Sequence, residues 1–166
     1  MDLLASPPSL NLNDRTWVIH TRSEERPPVR IHRSAIVADS LITDGSIIAE
    51  GAVVENSVLS PGVYVGPGAI IRESVVLNDA YIEAGAVVER CILDKISVIG
   101  HNARVGSLQG EGLGITSIGK NTHVPAGFTV GRNSILGTDL RQEDFVSYEN
   151  KVVPDNTHLG YTRKKK

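Results

Sequence analysis

The sequence predicts an all-β solenoid of about six stacked coils, on three observations. The first is a period: Ile31, Ile48, Val65, Ile82 and Ile99 stand 17 residues apart. The second is a pair of columns in register with it. Alanine recurs at Ala35, Ala52, Ala69, Ala86 and Ala103, and an aliphatic residue at Val37, Val54, Ile71, Val88 and Val105. The third is composition. Aromatic residues make up 4% of the 166, as suits a narrow interior that accepts Val, Ile, Leu and Ala but few rings. Fixed self-similarity of this kind marks a repeat architecture, in which each unit buries its apolar face only by stacking on the next.

Each copy divides into pieces of six, six and five residues, each opening on an aliphatic or small residue. That suits a coil with three short flat faces and one apolar residue per face pointing inward. The fourth position of each copy is Ser34, Gly51, Gly68, Gly85 and Asn102. Glycine and asparagine adopt positive φ at low cost, as sharp corners require. Stacked coils would lie about 4.8 Å apart, joined by hydrogen bonds from coil to coil. The hexapeptide form of this pattern is the left-handed parallel β-helix, an exception to the right-handed crossover rule.

After Val105 the period slips. The next copy is read as starting at Ile118, 19 residues after Ile99, so that two residues are added across the glycine-rich stretch 106–114. The pattern resumes with pieces opening at Ile118, Val124 and Val130, and Asn121, Gly127 and Asn133 take the corners. The β-helix is thus assigned to residues 31–137. Residues 1–30, with Pro7, Pro8, Pro27, Pro28 and a lone tryptophan, Trp17, read as a linker or lid. The segment packs across the first coil or against another domain. Residues 138–166, with Phe145, Tyr148 and Val152-Val153-Pro154, read as a cap over the last coil's open edges and a basic tail.

Charge and composition exclude several function classes. A net charge of −2 gives no electrostatic case for nucleic acid or a membrane surface. There is no apolar run of spanning length, and MDLLASPPSL lacks the basic start and apolar stretch of a secretory signal. Cytoplasm is the expected location. The terminal Arg163-Lys164-Lys165-Lys166 reads as a solvated tail. The single cysteine, Cys91, aligns with Ser40, Ser57 and Ser74 and reads as a packed small residue, not a nucleophile.

Candidate chemistry is sparse. The histidines are His20, His32, His101, His123 and His158, and no two are four apart. The spacing offers no metal site within the chain and no catalytic residue. His101 and His123 could act as the general base of a hexapeptide acyltransferase, although neither holds an inward position. Gly110-Glu111-Gly112-Leu113-Gly114 has no strand-then-helix context, so it reads as an interruption of the coil and not as a phosphate cradle.

The ends carry a more specific signal. Leu10-Asn11-Leu12-Asn13-Asp14-Arg15-Thr16-Trp17-Val18-Ile19-His20-Thr21, followed by Arg26-Pro27-Pro28, resembles the segment that leaves the catalytic domain in the glucose-1-phosphate adenylyltransferase family. That family often has tyrosine where this chain has Asn13. Residues 53–63, 87–95 and 114–127 are similar to its C-terminal β-helix. The resemblance implies a partner: the family's nucleotidyltransferase domain, with a G-G-x-G-x-R-L loop and acidic residues for Mg²⁺. No such loop occurs here, so this chain alone is expected to be non-catalytic and to need no cofactor of its own. It would serve oligomerisation, as a homo-oligomer, and allosteric control.

The resemblance also implies a site. Basic residues at the motif positions of Lys95, in Ile92-Leu93-Asp94-Lys95, and Lys120, in Ile118-Gly119-Lys120, bind an anionic small-molecule effector in some family members. A further lysine of the plant proteins corresponds to Gly112 here. The separation of Lys95 from Lys120 reads as one coil, two inserted residues and one six-residue face. That places them on neighbouring coils, on adjacent faces near one edge. The plain alternative is two solvated surface lysines. Two other classes stand beside this reading: a freestanding acyltransferase using acyl-coenzyme A, and a non-catalytic assembly scaffold.

Overall fold

The computed structural model describes residues 2–12, 14, 16–17, 25–110 and 114–160. His20, Gly112 and the tail Arg163–Lys166 lie outside them. Apart from two short 3-10 turns, every regular element among them is a strand of two or three residues. The strands form three parallel sheets, the faces of a prism. Face one runs from Arg30–Ile31 through Ile47–Ile48, Tyr64–Val65, Tyr81–Ile82 and Val98–Ile99 to His123–Val124. Face two starts at Ile36–Ala38 and ends at Val152–Val153; face three starts at Leu41–Ile42 and ends at His158–Leu159. All ladders are parallel, and the hexapeptide repeat fits the left-handed β-helix.

The register is that of the repeat. Ile31 pairs with Ile48, Val65 with Ile82 and Ile82 with Ile99, each one period on. Along each short strand successive side chains point alternately in and out. The inward residues are the periodic ones: Ile48, Val65, Ile82 and Ile99 on face one, Val54, Ile71, Val88 and Val105 on face two, all at most 1% exposed. Ala52, Ala69, Ala86 and Ala103 are fully buried beside the corner that joins these faces. The corners turn through positive φ, at Gly51, Gly68, Gly85, Asn102 and Gly127 between faces one and two. Asn121 and Asn133 take the same conformation at other corners.

Hydroxyls serve the corner between faces two and three. Ser57, Ser74 and Cys91 are buried. The Ser40, Ser57 and Ser74 hydroxyls each donate to a carbonyl two residues back and accept the backbone N–H of the next coil's member at 3.1–3.2 Å. Cys91 continues the ladder, with Sγ 3.1 Å from the Glu89 carbonyl. Burial pushes its thiol far above the usual range. It is packed as the sequence suggests.

The phase after Val105 differs from the sequence reading. Ile99 pairs with Val124, and Leu93 with Ile118, both longer steps than the period below. Ile118 therefore does not open a coil; it fills the face-three position above Leu93. The coil is eight residues longer than the earlier ones, not two, and the excess lies between the strands Arg104–Gly106 and Thr116–Ile118.

The stacking also runs past 137. Val152–Val153 pairs with Thr129–Val130, and His158–Leu159 with Ile135–Leu136. On face one the chain instead makes the 3-10 turn Gln142–Phe145. Phe145 is buried at 1% exposure and meets Phe128 edge-on, ring centroids 5.4 Å apart. Phe128 replaces alanine in its column, so the two rings fill this end of the prism.

Among the described residues the other end is incompletely covered. Ile31 is 49% exposed, while Ala35, Val37 and Ile42 are only partly buried. Trp17 does not close it, being 64% exposed. Arg26 and Pro27 are instead strapped along the corner between faces three and one. The Pro27 carbonyl accepts the Gly45 N–H at 2.6 Å. The Arg26 guanidinium grips the Asp79 carboxylate with two bonds, of 2.6 and 3.0 Å.

Candidate functional site

Lys95 and Lys120 lie on that same corner. Its two-residue turns are Asp44-Gly45, Pro61-Gly62, Asn78-Asp79, Lys95-Ile96, Lys120-Asn121 and Thr138-Asp139. The second residue of each has positive φ, from 57° to 78°. It donates its N–H to the first residue of the coil below: Ile96 to Asn78, Asn121 to Lys95 and Asp139 to Lys120, each at 2.9 Å. Lys95 and Lys120 are therefore equivalent positions in successive coils, about 4.8 Å apart in the stacking direction. This is closer than the sequence reading, in which they stand on adjacent faces. The misplaced insertion is the cause: the whole stretch from one lysine to the other makes a single lengthened coil.

Both lysines are exposed. Asp94 Oδ1 accepts the Lys95 N–H at 2.7 Å, and Asn121 Nδ2 donates to Asp139 Oδ1 at 2.7 Å, which fixes the turns on either side. One turn residue is out of character. Ile96 is β-branched at φ 60°, where the same column elsewhere has Gly, Asp or Asn, and it is 48% exposed. Such a residue in the left-handed region carries roughly 1–3 kcal/mol of strain. The corner thus presents two stacked ammonium groups and a rigid apolar tip, one coil above the Arg26–Asp79 strap. It can bind an anion by charge-assisted hydrogen bonds.

A second feature lies beside it, at the upper end of face one. A cleft of about 570 Å³ opens between the strand His123–Val124 and the turn Gln142–Phe145. Val98, Gly100, Val124 and Phe128 contribute to its walls, with His123, Arg141 and Lys151 as cationic or donor groups and Glu83 and Glu143 as acids. Arg141 Nη1 donates to the Asn121 and Leu140 carbonyls, so the guanidinium is held by the turn that carries Lys120. Burial, then the Arg141 charge, lowers the pKa of His123. Glu83 Oε2 accepts the His101 N–H at 2.7 Å. His101 itself is exposed. Sequence reasoning singles out His123 but misses Arg141 and Lys151. They stand where the coil leaves its period, and no column of the repeat points to them. Among the described residues no group of three or more His, Cys, Asp or Glu side chains could hold a metal ion. No helix of the described residues is long and apolar enough to cross a membrane.

The fold and its repeat define a hexapeptide-repeat β-solenoid. The chain belongs to the family described as GlmU-like, C-terminal hexapeptide, whose profile matches residues 28–113. It is 48% identical over 155 residues to the glucose-1-phosphate adenylyltransferase of Thermomicrobium roseum, a match that covers 87% of this chain and 36% of that protein. The enzyme of the same name from Bacillus mycoides is 48% identical over 48 residues, 29% of this chain and 13% of its own length. The chain thus spans little more than a third of the first relative and less of the second. Among solved structures, an acetyltransferase candidate from Desulfovibrio desulfuricans G20 aligns with a TM-score of 0.52 at 17% identity, over 85% of this chain and 28% of that one. That likeness is one of fold.

Proposed function

We propose that this chain is the C-terminal assembly and regulatory β-helix of a cytoplasmic glucose-1-phosphate adenylyltransferase. The observation that carries the reading is the 48% identity over 155 residues, which extends well beyond the matched repeat. The whole enzyme converts ATP and glucose 1-phosphate to ADP-glucose and pyrophosphate, for glycogen synthesis. Nucleotidyl transfer and its Mg²⁺ belong to a separate nucleotidyltransferase part. This chain supplies the solenoid that packs on that part and on further copies, and exposed Trp17 is suited to such a contact. Lys95 and Lys120 form an effector site for a small anion. Their stacking on one corner supports this, as does the strap that runs along the same corner toward the leading segment. The acyltransferase alternative has only the shared fold behind it.

The test is direct. The purified chain, given ATP, glucose 1-phosphate and Mg²⁺, should release no pyrophosphate. Joined to a nucleotidyltransferase part of the family, it should yield an oligomeric enzyme that does. Turnover by the chain alone, or acetyl transfer from acetyl-coenzyme A at enzymatic rates, would reverse the assignment.

A further inference from the structure

The cleft at the upper end of face one is not accounted for by the effector corner. It exists because the chain makes the turn Gln142–Phe145 where a further face-one strand would lie. At about 570 Å³ it has the size of a small-molecule site. Gly100 is in its lining, and a Cβ there would come within 2.6 Å of the Ala126 nitrogen, so this wall is bare backbone. Val98, Val124 and Phe128 are the apolar part of the lining, and His123, Arg141 and Lys151 belong to its polar part.

We infer that this cleft binds a small organic anion, bearing a phosphate or carboxylate, through Arg141, Lys151 and His123. The donors are available. Only Nη1 of Arg141 is spent on backbone carbonyls; its Nε and Nη2, and the Lys151 ammonium, make no hydrogen bond among the described residues. The anchor at Nη1 pre-orients the guanidinium, which reduces the entropy lost when it grips a ligand. One of the two acids, Glu83, is partly engaged by the His101 N–H, and Glu143 stands exposed on the 3-10 turn. Arg141, Lys151, Glu83 and Glu143 are the charged groups that line the cleft with His123. Burial, then the Arg141 charge, disfavours the proton on His123. An anion seated between them reverses that preference, so binding tightens as the pH falls toward the His123 value. The reading stands apart from the effector role of Lys95 and Lys120, which are not in the lining.

The test is an NMR titration of the chain with inorganic phosphate, following the imidazole Cε1–H resonances. His123 should shift saturably and its pKa should rise, while His32 and His158, which are not in the lining, should not follow. Lys151→Gln should weaken binding roughly tenfold, the loss of one charge-assisted contact, and Arg33→Gln, exposed in the first coil and outside the lining, should leave it unchanged. Arg141→Gln should abolish it; Lys151→Gln keeps the test decisive if that variant does not fold. A His123 resonance unmoved by phosphate, or moved equally in Lys151→Gln, overturns the inference. A response lost only in Lys95→Gln or Lys120→Gln assigns the anion to the corner instead and also overturns it.

Discussion

At the scale of single residues, the interior leaves little room for change. Ala69 is fully buried in a column one methyl wide. Ala69→Leu should overpack it and cost about 1–3 kcal/mol, read as a lower midpoint in urea melts. An unchanged midpoint would place Ala69 on the surface. Gly62 is constrained from outside. It turns at φ 78°, and an added Cβ would overlap Arg26 Nη1 and Asp79 Oδ1. Gly62→Ala should therefore dislodge the strap, which can be followed as faster proteolysis of the leading segment. The strap also has a pH signature. Its hydrogen bond with Arg26 holds the Asp79 carboxyl below its ordinary range. The folded pKa is the lower one, so this stabilisation is present above the unfolded value of about 3.9 and is lost as pH falls through the folded value. Asp79 is half-exposed, so the effect is small. Arg26→Gln should raise the Asp79 pKa toward normal in a carboxyl NMR titration.

At the scale of elements, the coils are legible in the sequence and the interruptions are not. Columns such as Ile48–Val65–Ile82–Ile99 appear because each position meets the same wall in every coil. The phase is lost at the loop after Gly106 for a physical reason. A six-residue piece looks alike on any face, since each needs one inward aliphatic residue and one tight corner. Once the loop breaks the count, Ile118-Gly119-Lys120-Asn121 reads equally well as the start of a coil or its end. Only coil-to-coil hydrogen bonds, such as Asn121 to Lys95, decide it. The same loss of count hides the cleft: Arg141 and Lys151 lie in a second lengthened coil, whose excess carries the 3-10 turn. That turn holds the upper end closed through Phe145. Phe145→Ala should cost about 3–5 kcal/mol and unfold the last coil first, seen as early loss of amide protection around Val130 and Val153. Simultaneous loss of protection along the whole solenoid would show that the cap is not a separate unit.

At the scale of the whole molecule, the solenoid is a stiff stack of coils, and the groups proposed to bind an effector lie along one edge of it. The strap, the stacked lysines and the anchor of Arg141 follow one another up the corner between faces three and one. Such an edge can couple an anion to a neighbouring domain without any change inside the prism, because the coils between are close-packed and stiff. The central proposal is that this chain regulates nucleotidyl transfer and does not perform it. The measurement that tests it most directly is pyrophosphate release by the enzyme assembled from this chain and its nucleotidyltransferase part, as a function of the concentration of an activating phosphorylated metabolite. The account predicts that Lys95→Ala and Lys120→Ala each shift the activator response to higher concentration, by the equivalent of about 1–3 kcal/mol, with basal turnover largely unchanged. An activator response identical to that of the parent in both variants would contradict it.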